Sequence, residues 1–249
     1  MIRFGLIGSC LLLLCSSSPA GLIGLHIGNN DPTSEGWTLS RIGGSVTTGP
    51  VLDGVVPAWQ VDDDSLTDRL FYDHVITNEQ RDEGSANGWS LRVVMRMTEA
   101  PVPADGSAIS VAYRDGSRSY QLGWGIETNG NAFVMLLDGS VGSIPFGTTH
   151  TLSDNNFHTY DLVYDSVAAS ADLFVDGIEV LSDYTGFSSG QQRLAFGAFS
   201  TANTGAAHWT GLEFRTIPEP SSLLLIGTSV VVFTLPRNRK TLSPNGTIT

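Results

Sequence analysis

The densest chemistry in this chain is acidic: Asp62, Asp63 and Asp64 are consecutive, and Asp68 follows four residues after the last of them. Carboxylate oxygens are what a hard cation such as calcium prefers, which makes Asp62, Asp64 and Asp68 the candidate metal ligands and structural calcium the candidate cofactor. An EF-type loop, with acids at alternate positions followed by a Gly and a terminal Glu, is not present, so a solvated acidic loop competes with the metal reading. Retaining glycoside hydrolysis asks for two carboxyls about 5 Å apart. The lone acids Glu127, Glu179 and Glu213 fall on different predicted strands, and none has a second Glu two or four residues away. Five histidines, His26, His74, His150, His158 and His208, show no ligand pairing, and His158 shares a face with Tyr160, Leu162 and Tyr164, as a buried, hydrogen-bonded side chain does. There is no phosphate-cradling glycine loop. Catalytic residues are therefore not expected, and a divergent glycoside hydrolase or lyase using Glu127 or another lone acid is the alternative.

A surface that binds is the remaining chemistry. In Ser119 to Asp138 the pair Asn129-Gly130 suits a two-residue type I′ turn. That turn sets Ile126 opposite Phe133, Trp124 opposite Met135 and Leu122 opposite Leu137, all on one buried side. The other side then carries Gln121, Gly123, Gly125, Glu127 and Asp138. Two missing side chains leave a shallow floor beside Gln121 and Glu127, whose polar groups can bond sugar hydroxyls. Arg92, Arg96 and Arg114 are expected to line the same face from adjacent strands. An ordinary solvated sheet face is the competing reading.

The elements that must position these groups are strands. Period-two alternation recurs from Gly21 to Thr216 and helical periodicity does not. Ser90 to Met97 sets Leu91, Val93, Met95 and Met97 against Ser90, Arg92 and Arg96, a half-buried antiparallel pattern. Ser107 to Arg114 repeats it. Ala171 to Val175 and Ile178 to Leu181 form a hairpin through Asp176-Gly177, and further strands are expected at Phe157 to Tyr164, Arg193 to Ser200 and His208 to Arg215. Short strands and Gly, Asn and Asp turns over this length predict an all-β, two-sheet antiparallel sandwich.

Composition bounds the partners. Between Gly21 and Thr216 there are 24 acidic residues against 9 arginines and no lysine, so nucleic acid is a poor partner for the body. The ends have a different character. Arg3, an apolar stretch to Cys15, and Ser18-Pro19-Ala20 read as a signal peptide over 1–20 with cleavage between Ala20 and Gly21. Ile7-Gly8-Ser9-Cys10 is a weak lipobox alternative. Both cysteines, Cys10 and Cys15, lie inside that signal, so the mature chain has no disulfide or thiolate metal site. The body at 21–216 is long enough for one domain burying roughly 70% of its unfolded surface. After it come Pro218-Glu219-Pro220, an apolar run from Leu223 to Leu235, and Arg237, Arg239 and Lys240. The apolar run is shorter than the roughly 20 residues of a comfortable span and is expected as a short membrane helix, with the basic cluster inside and the body outside; a final core strand, favoured by Val230, Val231, Val232 and Phe233, is the alternative.

That C-terminal order closely resembles the PEP-CTERM sorting signal of bacterial exported proteins, here 217–240 with a tail at 241–249. The resemblance implies processing by an exosortase-type membrane peptidase, transient membrane anchoring, and delivery to the cell surface or extracellular matrix. Within the body, Asp154-Asn155-Asn156-Phe157-His158-Thr159-Tyr160-Asp161-Leu162-Val163-Tyr164 and Ala171-Asp172-Leu173-Phe174-Val175-Asp176-Gly177 resemble the paired strands of concanavalin A-like lectin/glucanase domains, which include laminin G-like modules. Gly49-Pro50-Val51-Leu52-Asp53-Gly54, Ala58-Trp59 and Gly88-Trp89-Ser90-Leu91 are similar to jelly-roll modules found beside some bacterial sialidases. These likenesses imply a jelly roll and, for the glucanases, a strand with two glutamates flanking an aspartate, which this chain lacks. The expectation is an exported, non-catalytic protein with a lectin-like domain for a polysaccharide, with a purely structural matrix component as a further alternative.

Overall fold

The computed structural model describes residues 21–100, 108–139 and 147–217. The predicted signal peptide with Ala20, the Pro218-Glu219-Pro220 motif, the apolar segment and the tail lie outside the described residues, as does Ser107. In chain order the strands are β1 (Leu22–Ile27), β2 (Thr38–Ile42), β3 (Thr47–Asp53), β4 (Val56–Asp63), β5 (Arg69–Val75), β6 (Trp89–Glu99), β7 (Ile109–Asp115) and β8 (Arg118–Ile126). They continue with β9 (Ala132–Leu137), β10 (Gly147–Thr151), β11 (His158–Asp165), β12 (Ser170–Val175), β13 (Ile178–Tyr184), β14 (Phe187–Ser188), β15 (Gln192–Ala198) and β16 (Gly205–Thr216). They make two antiparallel sheets. The first has the order β13-β12-β11-β6-β16-β4-β3 with β1 also on β16, and the second β10-β9-β8-β7-β15-β5-β2 with β14 also on β8. No helix among the described residues is long and apolar enough to cross a membrane.

Alternation places the core between the sheets. On β6, Trp89, Leu91, Val93, Met95 and Met97 are buried, while Arg92 on the other side is exposed. Aromatic rings join the layers: Trp89 meets Tyr113 at 4.9 Å and Trp124 meets both Tyr160 at 5.3 Å and Trp209 at 5.6 Å between centroids, in the edge-to-face geometry that ring quadrupoles favour. At one edge Tyr184 of the first sheet reaches the second. Its hydroxyl donates to the Leu137 carbonyl at 2.5 Å and accepts from the Gln121 amide at 3.1 Å, filling the gap on β8 between its pairing with β14 and its pairing with β9.

Two sequence expectations are corrected here. The described residues include one α-helix, α1 (Asn78–Asn87), started by a capping box in which Thr77 and Gln80 satisfy each other's backbone amides. Its apolar content is too low to show a helical period, although Thr77-x-x-Gln80 was a readable start signal. The β8–β9 connection is the second correction. Ile126 pairs with Ala132, Trp124 with Val134 and Leu122 with Leu136, so Phe133 and Met135 stand opposite Gly125 and Gly123 on the outer face. Gly130 donates to the Glu127 carbonyl at 2.9 Å with φ +90, while Asn129 keeps a negative φ. This is a three-residue loop, a type I turn closed by a left-handed glycine, and its extra residue flips every β9 side chain relative to the two-residue register. The Asp176-Gly177 hairpin does have both residues at positive φ, +51 and +81, with Val175 opposite Ile178 as expected.

Candidate functional site

The outer face of the second sheet carries the most concentrated positive charge of an acidic body. Along β5, Leu70 and Tyr72 point to the core and Arg69, Phe71 and Asp73 point out. Arg193 of β15 lies beside Arg114 of β7, and along the same two strands Ala195 pairs with Ala112 and Gly197 with Ser110. These small, buried residues form a floor. Gly197 is required there: at φ +135, a Cβ would stand 2.6 Å from the Leu70 carbonyl oxygen. At the end of that floor Arg69, Phe71, Arg114, Gln191, Arg193 and Phe199 enclose a pocket of about 180 Å³.

The pocket is built from two cation–aromatic pairs. The Arg193 guanidinium lies 4.8 Å from the Phe71 ring centroid and that of Arg114 lies 5.8 Å from Phe199, and the two phenyl rings meet edge to face at 5.2 Å. Arg193 is ion-paired with Asp73, which also accepts from the Ser40 hydroxyl at 2.5 Å. Arg114 donates to Ser119 Oγ at 3.3 Å, and both Arg114 and Arg193 donate to the amide oxygen of exposed Gln191. The Nε atoms of Arg69 and Arg193 are buried without a hydrogen-bond partner. Burial, reinforced by the neighbouring Arg193 charge, pulls Arg114 down to about 10. Such a pocket presents donors and aromatic faces to a small polar ligand.

The residues singled out from sequence are divided between the two faces. Gln121, Gly123 and Gly125 do lie on the outer side of β8, with Arg114 next to that strand through its pairing with Ser119, but Gln121 is 7% exposed and not a solvated group. Glu127 is not on the sheet; it sits in the turn, accepting from Asn129 Nδ2 and Thr151 Oγ1, each at 2.8 Å. Arg92 and Arg96 belong to β6 on the outer side of the first sheet, away from Arg114. There Arg92 forms a two-bond pair with Asp161, and Arg96 a two-bond pair with Asp53, which His208 Nδ1 also contacts at 2.7 Å. Their guanidinium groups already have carboxylate partners. Sequence reasoning missed Arg69, Phe71, Gln191, Arg193 and Phe199. The available signal was alternation in Arg69-Leu70-Phe71-Tyr72, which puts a cation and an aromatic on one face, in a body with few cations.

The acidic run also divides. Asp62, Asp64 and Glu99 bring carboxylate oxygens within 4.8 Å of one another, a set of hard donors suited in type to calcium. Asp68 is elsewhere. It accepts from the Gly44 and Ser45 amides at 2.9 and 2.8 Å, and those bonds hold it down at about 2. Burial, and then the Asp64 charge, raise Asp62. His158 is buried between Asp176 at 2.7 Å and Asp154 at 3.1 Å, a structural role that ties the start of β11 to the β12–β13 turn.

The architecture is that of the antiparallel sandwiches on which lectin-type binding modules are built. The model of the Vibrio cholerae sialidase lectin insertion family matches residues 67–219, and the chain belongs to that family. No curated protein matches it. Among solved structures, a carbohydrate esterase of the Shiga toxin-encoding bacteriophage phi24B is similar at 11% identity and TM-score 0.56, over 80% of this chain and 99% of that one. The binding domain of botulinum neurotoxin DC, solved in complex with SialylT, aligns at 8% identity and TM-score 0.48 over 86% of this chain, which spans about half, 52%, of that domain. Domain 4 of the extracellular arabinanase AbnA from Geobacillus stearothermophilus, solved with arabinotriose, aligns at 10% identity and TM-score 0.44, over 81% of this chain and 95% of that one. At these identities the phage protein's likeness is one of fold alone.

Proposed function

We propose that this domain is a non-catalytic, lectin-like module of concanavalin A-like type that binds a glycan on the outer face of its second sheet, in an exported protein sorted to the cell surface or matrix. The observation that carries the reading is the pocket of Phe71, Phe199 and three arginines at the end of a floor of small residues, in a member of a sialidase lectin insertion family. Aromatic faces and side-chain donors around a small pocket are what a sugar ring needs. Membership in the family supports binding and supplies no catalytic residue, because function resides in the site and not in the fold. Glu127 sits in the β8–β9 turn, held by Asn129 and Thr151, and does not line the pocket.

The export half of the proposal rests on the two ends of the sequence: Arg3 and the apolar stretch before Ala20, and Pro218-Glu219-Pro220 with the apolar run and basic cluster behind it. Its partners are an exosortase-type peptidase and, transiently, the membrane. A glycan array probed with the domain is expected to give saturable binding that Phe71→Ala and Phe199→Ala reduce at an unchanged melting temperature. Binding that both variants retain places the site elsewhere, and an array without hits refutes the lectin reading. Intact mass of the cell-borne protein is expected to show a chain starting at Gly21 and shortened after the Pro218-Glu219-Pro220 region; a product ending at Thr249 in a host with the sorting peptidase refutes the sorting half.

A further inference from the structure

The same pocket identifies the kind of sugar. Three of the body's nine arginines, Arg69, Arg114 and Arg193, meet in it, and Asp73, ion-paired with Arg193, is the one carboxylate bonded to any of the three among the described residues. The cationic excess is therefore local, on a domain that otherwise repels polyanions. Where a carboxylate would be expected between Arg114 and Arg193, the structure has the neutral amide oxygen of Gln191, an exposed side chain accepting from both. Among the described residues Arg69 has no side-chain hydrogen bond, and its Nε and that of Arg193 are buried without an acceptor. Two buried donors without acceptors cost free energy in the ligand-free protein, and an anion in the pocket satisfies them. Phe199 and Phe71 lie against the guanidinium groups of Arg114 and Arg193, which places those two cations before a ligand arrives.

We infer that the pocket of Arg69, Arg114 and Arg193 is the subsite for the acidic group of a charged sugar, a uronate carboxylate or a sulfate ester, displacing the Gln191 amide oxygen that bridges two of the arginines. This deepens the lectin-like reading and depends on it. Both candidate groups are acceptor-only anions that take paired bonds from guanidinium, so one pocket chemistry serves either source.

The test is calorimetric titration with three matched oligosaccharides: a galacturonate oligomer, a sulfated galactan oligomer and the neutral galactan oligomer. The proteins are the wild type, Arg69→Gln, Arg114→Gln and, as a control on the opposite face, Arg92→Gln. The expected result is binding of at least one acidic oligomer well above the neutral one. Arg69→Gln and Arg114→Gln each weaken it about tenfold to a hundredfold, the worth of a charge-assisted hydrogen bond. Arg92→Gln leaves it unchanged. Preference for the galacturonate or for the sulfated oligomer decides between the two sources. Among the described residues the Arg69 side chain has no hydrogen-bond partner to lose, so its variant is expected to keep the wild-type melting temperature and carries the test even where Arg114→Gln unfolds. Neutral and acidic oligomers bound equally, with Arg69→Gln without effect, overturns the acidic subsite and leaves the glycan-binding module standing. Acidic and neutral oligomers alike failing to bind, together with an empty glycan array, overturns both.

Discussion

Asp63→Asn is expected to reverse part of the pH dependence of stability. Asp63 ends β4 on the core side and is 1% exposed; its Oδ1 accepts from the Ser65 amide at 3.0 Å and its Oδ2 has no partner. Burial, followed by the charges of Asp68, Asp64 and Asp62 and opposed by the Ser65 bond, pushes the carboxyl from 3.8 up to about 6. A folded-state value above the unfolded one means that the folded protein holds the proton more tightly. The associated stability is fully present below pH 3.8 and is lost as the pH rises through 6. Each tenfold change in proton affinity is worth about 1.4 kcal/mol, so the whole loss is about 3 kcal/mol, of which about 2 kcal/mol falls between pH 4.5 and 7.5. Asparagine keeps the acceptor for Ser65 and cannot ionise. Urea denaturation of both proteins across that range is expected to show the variant gaining about 2 kcal/mol on the wild type from the acid to the neutral end. A difference between the two proteins that stays constant with pH would refute the reasoning, because it would mean that Asp63 ionises in the fold as readily as in water.

Trp124 is fully buried against Tyr160 and Trp209, and Trp124→Ala is expected to cost about 3 to 5 kcal/mol, measured by chemical denaturation; a loss below about 1 kcal/mol would contradict its place between the sheets. Gly197→Ala drives a Cβ against the Leu70 carbonyl at a backbone angle that suits glycine, so a drop of at least about 1 to 3 kcal/mol is expected, and an unchanged melting curve would show that the floor yields. Reductant is expected to leave the thermal midpoint of the 21–217 domain where it is, since that stretch contains no cysteine; a fall would point to an unforeseen cross-link.

Strands with one polar side were legible residue by residue. In β6 Ser90, Arg92 and Arg96 mark one side against Leu91, Val93, Met95 and Met97 on the other, and in β12 Asp172 separates Ala171 from Leu173, so both face assignments survive. In β9 the sequence Ala132-Phe133-Val134-Met135-Leu136-Leu137 is apolar throughout, and alternation holds no information about which side is inside. Its register depended on the turn alone, and Asn129-Gly130 serves a two-residue and a three-residue loop equally well. The pocket was hidden for a different reason. Arg69, Arg114 and Arg193 come from three strands far apart in sequence, and only the strand order β7-β15-β5, which no local pattern encodes, makes them neighbours.

Tyr184 has a mechanical consequence. One phenolic oxygen on an edge strand of one layer is bonded to two backbone groups on neighbouring strands of the other, so sliding the layers past each other breaks both bonds at the same displacement. It works as a rivet that resists shear across the thickness of the sandwich, which side-by-side strand pairing within each layer does not do. A load applied to the β13 edge is transmitted through this side chain into β8 and β9. Exchange of this one ring for phenylalanine would leave the layers packed as before but free to slip at that edge.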